Sequence, residues 1–133
     1  MDTRLMNFQN IRFEEQRRVM QEAKNTNMCP FCPGHQPGTL TPIIKETKFW
    51  EVRKNRWPYE RTKLHLLFVH KKHVESLSGI SDKAWEEVGR LLYWSEKKFR
   101  ISSGAVCMRF GDIRYNGATI AHLHLHVIVP DFR

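Results

Sequence analysis

The sequence predicts an α+β fold, an antiparallel sheet with helices packed against it. Three observations lead there. The segment "GATIAHLHLHVIVP", from Gly117 to Pro130, alternates histidine with leucine and valine at the period of a strand. After Ser81, Trp85, Val88, Leu92 and Phe99 recur at helical spacing, with Leu91 alongside. Elsewhere, short β-branched and aromatic runs are bounded by turn residues, the pattern of short strands.

Taken in order, residues 3–27 are polar and rich in good helix formers, with Phe13 and Met20 seven apart, which predicts a helix with one narrow docking face. It ends before "NMCPFCPGHQPG", where proline and glycine crowd a turn around Cys29 and Cys32. From "TPII" through "KFWEVR" two short strands are expected, and "KLHLLFVH", Lys63 to His70, is a third. Ser81 followed by Asp82 suits a helix N-cap, and the apolar stripe of the helix it opens is core. "AVCMRF", Ala105 to Phe110, predicts a strand, and "GDIRYNGA" turns the chain into the histidine strand. No repeat or low-complexity segment interrupts the pattern. Residues 1–28 therefore read as a helical extension and residues 29–133 as one domain.

In the last strand His122, His124 and His126 share one face, while Leu123, Leu125 and Val127 point to the other. Imidazoles about 7 Å apart along one face must be hydrogen-bonded, metal-bound or turned to a polar ligand if they are buried. The pattern asks for a site.

A chain of 133 residues, 41% apolar and 27% charged, is large enough for a hydrophobic core without disulfide staples. No apolar stretch approaches a membrane span, and "MDTRLMNFQNIRFEEQRR" lacks the apolar core of a secretory signal, so the expected location is the cytoplasm, away from membranes. The formal net charge is +8, and between Lys45 and Lys72 nine Lys or Arg stand against three Glu, an excess of six. Such a field favours an anionic partner, a nucleotide or polyphosphate; a nucleic-acid backbone is compatible with it but is not the favoured partner.

Three cysteines cannot all pair within one chain, and a reducing compartment favours thiolate chemistry. Cys29-Pro-Phe-Cys32 can bring two thiolates onto one ion, but a tetrahedral site needs two more ligands and no second C-x-x-C exists. A redox pair and a chance pair in a loop are the alternatives. His73 and His122 are natural candidates to complete a metal site, which zinc would suit and which, filled by four protein ligands, would be structural.

"HLHLHVI" resembles the histidine triad motif, and "CPFC", "NRWPY", "HLLFVHKKH" and "NGATIAH" follow in the order of that family, so the resemblance covers roughly Cys29 to Pro130. It implies a nucleotide-binding enzyme acting at the α-phosphate of a nucleoside phosphate derivative. The middle histidine of the motif, His124 here, would be the nucleophile and His126 would contact the phosphate or leaving group. A neutral imidazole suits that task, provided that a hydrogen bond on one nitrogen orients the other. By the same resemblance His65 would help line the pocket, Asn55 would bind the ribose hydroxyls, and Gly117 and Thr119 would face the leaving group. The ligands of zinc-bearing bacterial relatives correspond to Cys29, Cys32, His73 and His122, and a homodimer built from the Ser81 helix and the "AVCMRF" edge is implied.

The sequence also departs from the family pattern. Gly117-Ala118-Thr119 replaces the usual Gly-Gln-Ser/Thr, which removes an amide donor; His70 stands where proline is common; and the asparagine often found upstream falls near Gly111. The sequence given also ends three residues after Pro130, short of the C-terminal tail of some members. Leu125 matches the hydrolase side, where the uridylyltransferase branch has proline. A zinc-stabilised nucleotide- or RNA-binding module without turnover is the second reading, suggested by the basic segment, by Ala118, and by Trp57 and Tyr59 as stacking residues, although core packing is the simpler role for those two.

Overall fold

Five strands build one antiparallel sheet: β1 (Ile43–Glu46), β2 (Trp50–Lys54), β3 (Thr62–His70), β4 (Ala105–Met108) and β5 (His124–Pro130), ordered β1-β2-β3-β5-β4. Helices α1 (Glu14–Thr26), α2 (Asp82–Lys98) and α3 (Ile113–Asn116) complete the chain as described by the computed structural model, which covers residues 11–26, 29–32 and 40–131. Residues 3–10 and 27 of the predicted N-terminal helix, and most of the turn after Cys32, lie outside the described residues. The architecture is the expected α+β one.

Register sorts the side chains. With Leu67 opposite His126 and Phe68 opposite Leu125, the period of two sends Leu66, Phe68, Leu125 and Val127 to one face. His65, Leu67, Val69, His124 and His126 go to the other. On the first face α2 docks. Ser81 caps it as expected, its hydroxyl accepting from the Ala84 N–H at 3.1 Å, and Ala84, Val88 and Leu91 are buried against Trp50, Val52 and Phe68. Val88, Leu91 and Phe68 each contribute roughly 1.5–3 kcal/mol by leaving water. The indole N–H of Trp50 also donates to the Ala84 carbonyl at 2.7 Å, tying β2 to the first turn of α2.

Four expectations are corrected here. Trp85 is not core: one residue beyond Ala84, it is rotated by about 100° around the helix and is 41% exposed. Phe13 precedes α1 and is 38% exposed, so the docking face is Met20 and Ala23, which pack with Phe31, Trp57, Leu67, Val69 and Ile120 on the second face of the sheet. "GDIRYNGA" holds the short helix α3, capped by Asp112 and ended by Gly117 at φ +80°, a left-handed conformation that suits glycine. Finally, β5 begins only at His124, because the residues before it bond to chain leaving the sheet: Leu123 N–H donates to the Val74 carbonyl at 2.8 Å, and His70 N–H to the Leu123 carbonyl at 3.2 Å. His122 thus stands just before the strand, next to the segment that carries His73.

Candidate active site and metal centre

Two clusters form on the second face of the sheet, and His122 connects them. In the first, Cys29, Cys32, His73 and His122 present one donor atom each, all within 4.8 Å of one another. The Cys32 sulfur lies 3.3 Å from His73 Nδ1 and 3.5 Å from His122 Nδ1, and the Cys29 sulfur 3.4 Å from His122 Nδ1. A tetrahedral ion with bonds of about 2.0–2.3 Å has edges of about 3.3–3.8 Å, so these separations fit one. The outer nitrogens are already engaged. His122 Nε2–H donates to the His70 carbonyl at 2.5 Å and His73 Nε2–H to the Glu75 carboxylate at 2.8 Å, which leaves both Nδ1 lone pairs facing the thiols. Burial pushes the Cys29 thiol up to about 12. Such a thiol becomes a thiolate ligand only beside a cation that displaces its proton, which is what a divalent ion supplies.

The second cluster is a relay of imidazoles whose tautomers are set by their partners. Tyr59 N–H donates to His65 Nδ1 at 3.1 Å, so His65 carries its proton on Nε2 and donates it to His126 Nδ1 at 2.7 Å. His126 in turn keeps its own proton on Nε2. Two residues before His126 on β5, His124 Nδ1–H donates to the His122 carbonyl at 2.6 Å, which leaves the His124 Nε2 lone pair unengaged among the described residues. Burial first, then neighbouring cationic groups, holds His65 and His124 down at about 4 and His126 at about 2. All three are neutral at pH 7.

His124 and His126 border a cavity of about 270 Å³, near the lower end for small-molecule sites. Asn55, Gly117 and Thr119 line it as well, whereas His65 does not and lies behind His126 and Asn55. Asn55 spends its carbonyl on Trp57 N–H at 2.8 Å and holds its amide nitrogen 3.2 Å from His65 Nε2. Helix α1 is a wall of this cavity rather than an appendage, contributing Gln16 and Met20. Tyr59 is not simple core packing: its ring lies 5.6 Å from that of His126 at an interplanar angle of 20°.

Several residues at the site are unmarked by any motif. Phe31, inside "CPFC", sets its ring edge-on to both His122 and His124, at 6.0 and 5.0 Å, and so joins the two clusters. Glu75 is the carboxylate behind His73. Arg12 and Arg109 both line the cavity, and neither makes an ion pair among the described residues. The basic segment that stood out in the sequence is more neutralised: Arg53 pairs with Glu51, Arg56 with Glu15 and Lys71 with Glu46.

The HIT domain family model matches residues 43–133. The chain belongs to the HIT family. Solved structures with the HIT fold agree in architecture. A histidine triad nucleotide-binding protein from Candida albicans superposes with a TM-score of 0.59 at 19% identity, over 68% of this chain and 68% of its own. A HIT family hydrolase from Clostridium thermocellum gives 0.56 at 17% identity, over 67% and 78%. A histidine triad protein from Clostridium difficile gives 0.53 at 21% identity and spans 92% of this chain and 96% of its own. No curated protein matches the sequence significantly. The HIT match begins at β1, so α1 and the Cys29–Cys32 segment, which wall the cavity and supply half of the candidate metal donors, precede it.

Proposed function

We propose that this HIT protein is a nucleotide hydrolase or nucleotidyl transferase that cleaves at the α-phosphate of a nucleoside phosphate derivative through a covalent nucleotidyl-histidine. The observation that carries the reading is the state of His124: neutral at pH 7, its Nδ1–H held by the His122 carbonyl, and bordering a cavity flanked by guanidinium groups. In the step proposed, the Nε2 lone pair forms a bond to the α-phosphorus as the bond to the leaving group breaks, the electron pair departing with that group. His126 Nε2–H donates to a phosphoryl oxygen, and Thr119 and Gly117 lie beside the leaving group. Water or another acceptor then attacks the phosphorus, the N–P pair returns to Nε2, and the proton of the acceptor passes to solvent. Asn55 is the residue proposed for the ribose. The names of the two relatives, a hydrolase and a nucleotide-binding protein, agree with this reading.

Cys29, Cys32, His73 and His122 would hold a structural zinc, since all four positions are filled by protein and none is left for substrate. The ion would anchor the loop that presents Phe31 to His124. The working form is a cytoplasmic homodimer, with β4 as an unpaired sheet edge that exposes Val106. The domain of residues 29–133 takes α1, from the extension of residues 1–28, as one wall of its cavity. No helix among the described residues is long and apolar enough to cross a membrane.

The test is His124→Ala, assayed against dinucleoside polyphosphates, nucleoside phosphoramidates and nucleotide sugars. Loss of a covalent nucleophile costs several orders of magnitude, so turnover should fall to background while nucleotide binding and the fold persist. The wild-type protein should yield an acid-labile, base-stable nucleotidyl adduct that the variant lacks. Wild-type turnover by His124→Ala would overturn the assignment.

A further inference from the structure

Arg109 leaves β4 at its C-terminal end and crosses Gly117. A Cβ at Gly117 would sit 3.3 Å from Arg109 Nε, so the glycine makes room for the guanidinium as well as adopting its left-handed φ. Arg109 Nη1–H donates to the Tyr59 hydroxyl at 3.0 Å. Arg12 donates to the carbonyls of Trp57 at 2.7 Å and Pro58 at 3.3 Å and lies 4.5 Å over the face of the Tyr59 ring. The two cations therefore meet at one aromatic residue, Arg109 at its hydroxyl and Arg12 at its ring face, and that ring stacks on His126. Both lower the proton affinity of His65 and His126, so their field reaches the imidazoles beside the cavity. Backbone carbonyls and a phenol position these groups, and among the described residues no carboxylate forms an ion pair with either.

Two guanidinium forks at a cavity with neutral histidines make a site for more than one phosphate group. Resting on the function proposed above, we propose that Arg12 and Arg109 form a clamp for a phosphate chain, with Arg109 supplying the donor that Ala118 cannot, and that the site selects substrates whose leaving group is a phosphate or polyphosphate over those that release an amine.

Leaving-group chemistry points the same way. When the Pα–O bond breaks, the electron pair stays on the bridging oxygen, and the developing negative charge falls between the guanidiniums. An amine, with a conjugate-acid pKa of about 10, must gain a proton to depart, and a neutral His126 is a weak acid for that task. A phosphate leaves without one.

The experiment compares diadenosine triphosphate with adenosine 5′-phosphoramidate for the wild-type protein and for Arg109→Gln, Arg12→Gln and Arg109→Lys. The wild type should have the larger kcat/KM on the triphosphate. Arg109→Gln should narrow the ratio of the two kcat/KM values at least tenfold, Arg12→Gln should narrow it less, and Arg109→Lys should recover part of it because charge returns without the fork. A preference for the phosphoramidate, or equal losses on both substrates in Arg109→Gln, would overturn the clamp. If neither compound is turned over, the function proposed above fails and calorimetry with inorganic tripolyphosphate decides the clamp separately. Binding weakened at least tenfold in Arg109→Gln supports it, and equal or absent binding by the folded wild type rejects it.

Discussion

Acid should destabilise this protein by an amount that one substitution measures. His126 is 6% exposed and is held at about 2, chiefly by burial, whereas in the unfolded chain it titrates at about 6.5. The folded value is depressed, so below pH 6.5 the unfolded chain binds a proton that the fold refuses. The stability contributed by the neutral state is complete above about pH 6.5 and is lost as pH falls towards the folded value. Between pH 8 and pH 5 the loss is about 1.5 units times about 1.36 kcal/mol, or about 2 kcal/mol, for any folded value well below 5. His126→Gln removes the titration and keeps an acceptor for His65 Nε2–H, so the variant should lose about 2 kcal/mol less than the wild type over this interval. Urea unfolding of both proteins at the two pH values gives the comparison, and acid release of a metal, common to both, cancels in the difference. His65, held down by its own burial and by cations, retains its share in the variant. Parallel pH profiles within about 0.5 kcal/mol would show that the relay accepts a proton at pH 5 and that the tautomer assignments are wrong.

Metal analysis of unchelated protein should find one zinc per chain, and Cys29→Ser should lower both metal content and melting temperature; protein purified without zinc would refute the metal centre. Glu75→Gln weakens the carboxylate behind His73 while leaving all four ligands in place, and should reduce metal affinity by about 10- to 100-fold in a competitive chelator titration. Unchanged affinity would confine Glu75 to a surface role. A dimer mass is expected by light scattering at micromolar concentration, and Val106→Lys on the edge strand should shift it towards monomer without unfolding the chain; a monomeric wild type would remove the homodimer.

Where local chemistry dictates geometry, the sequence was readable. Period two alone places Leu125 and Val127 in the core and His124 and His126 on the opposite face, and a serine before an acidic residue marks the start of α2. Reading failed where the decisive contact is distant. His122 obeys the same alternation as its neighbours, yet the backbone bonds of Val74 and His70 take it out of the strand, and nothing near it in the sequence reports them. Trp85 and Ala84 compete for one side of α2; the packing of Trp50 decides, through a contact 34 residues away. Arg12 and Arg109 are two among 22 Lys and Arg and carry no motif. The signal that could have found Arg109 is a missing one: Ala118 deprives the site of an amide donor, which calls for another from elsewhere. Glu75, two residues after His73, was the more accessible omission.

Most of the hydrogen bonds that order the imidazoles come from main chain. The Tyr59 amide selects the His65 tautomer, the His122 carbonyl that of His124, and the His70 carbonyl that of His122, while His126 inherits its state from His65. The tautomers of the proposed site are therefore encoded in strand placement rather than in a side chain that mutation could delete. Under the proposed function, substitutions around the cavity are free to retune what it holds while His124 Nε2 keeps its lone pair, so specificity can diverge on one reaction. The vulnerable elements are the ones that set backbone register: a one-residue slip of β5 against β3 would keep His124 and His126 in the chain and turn both to the α2 face.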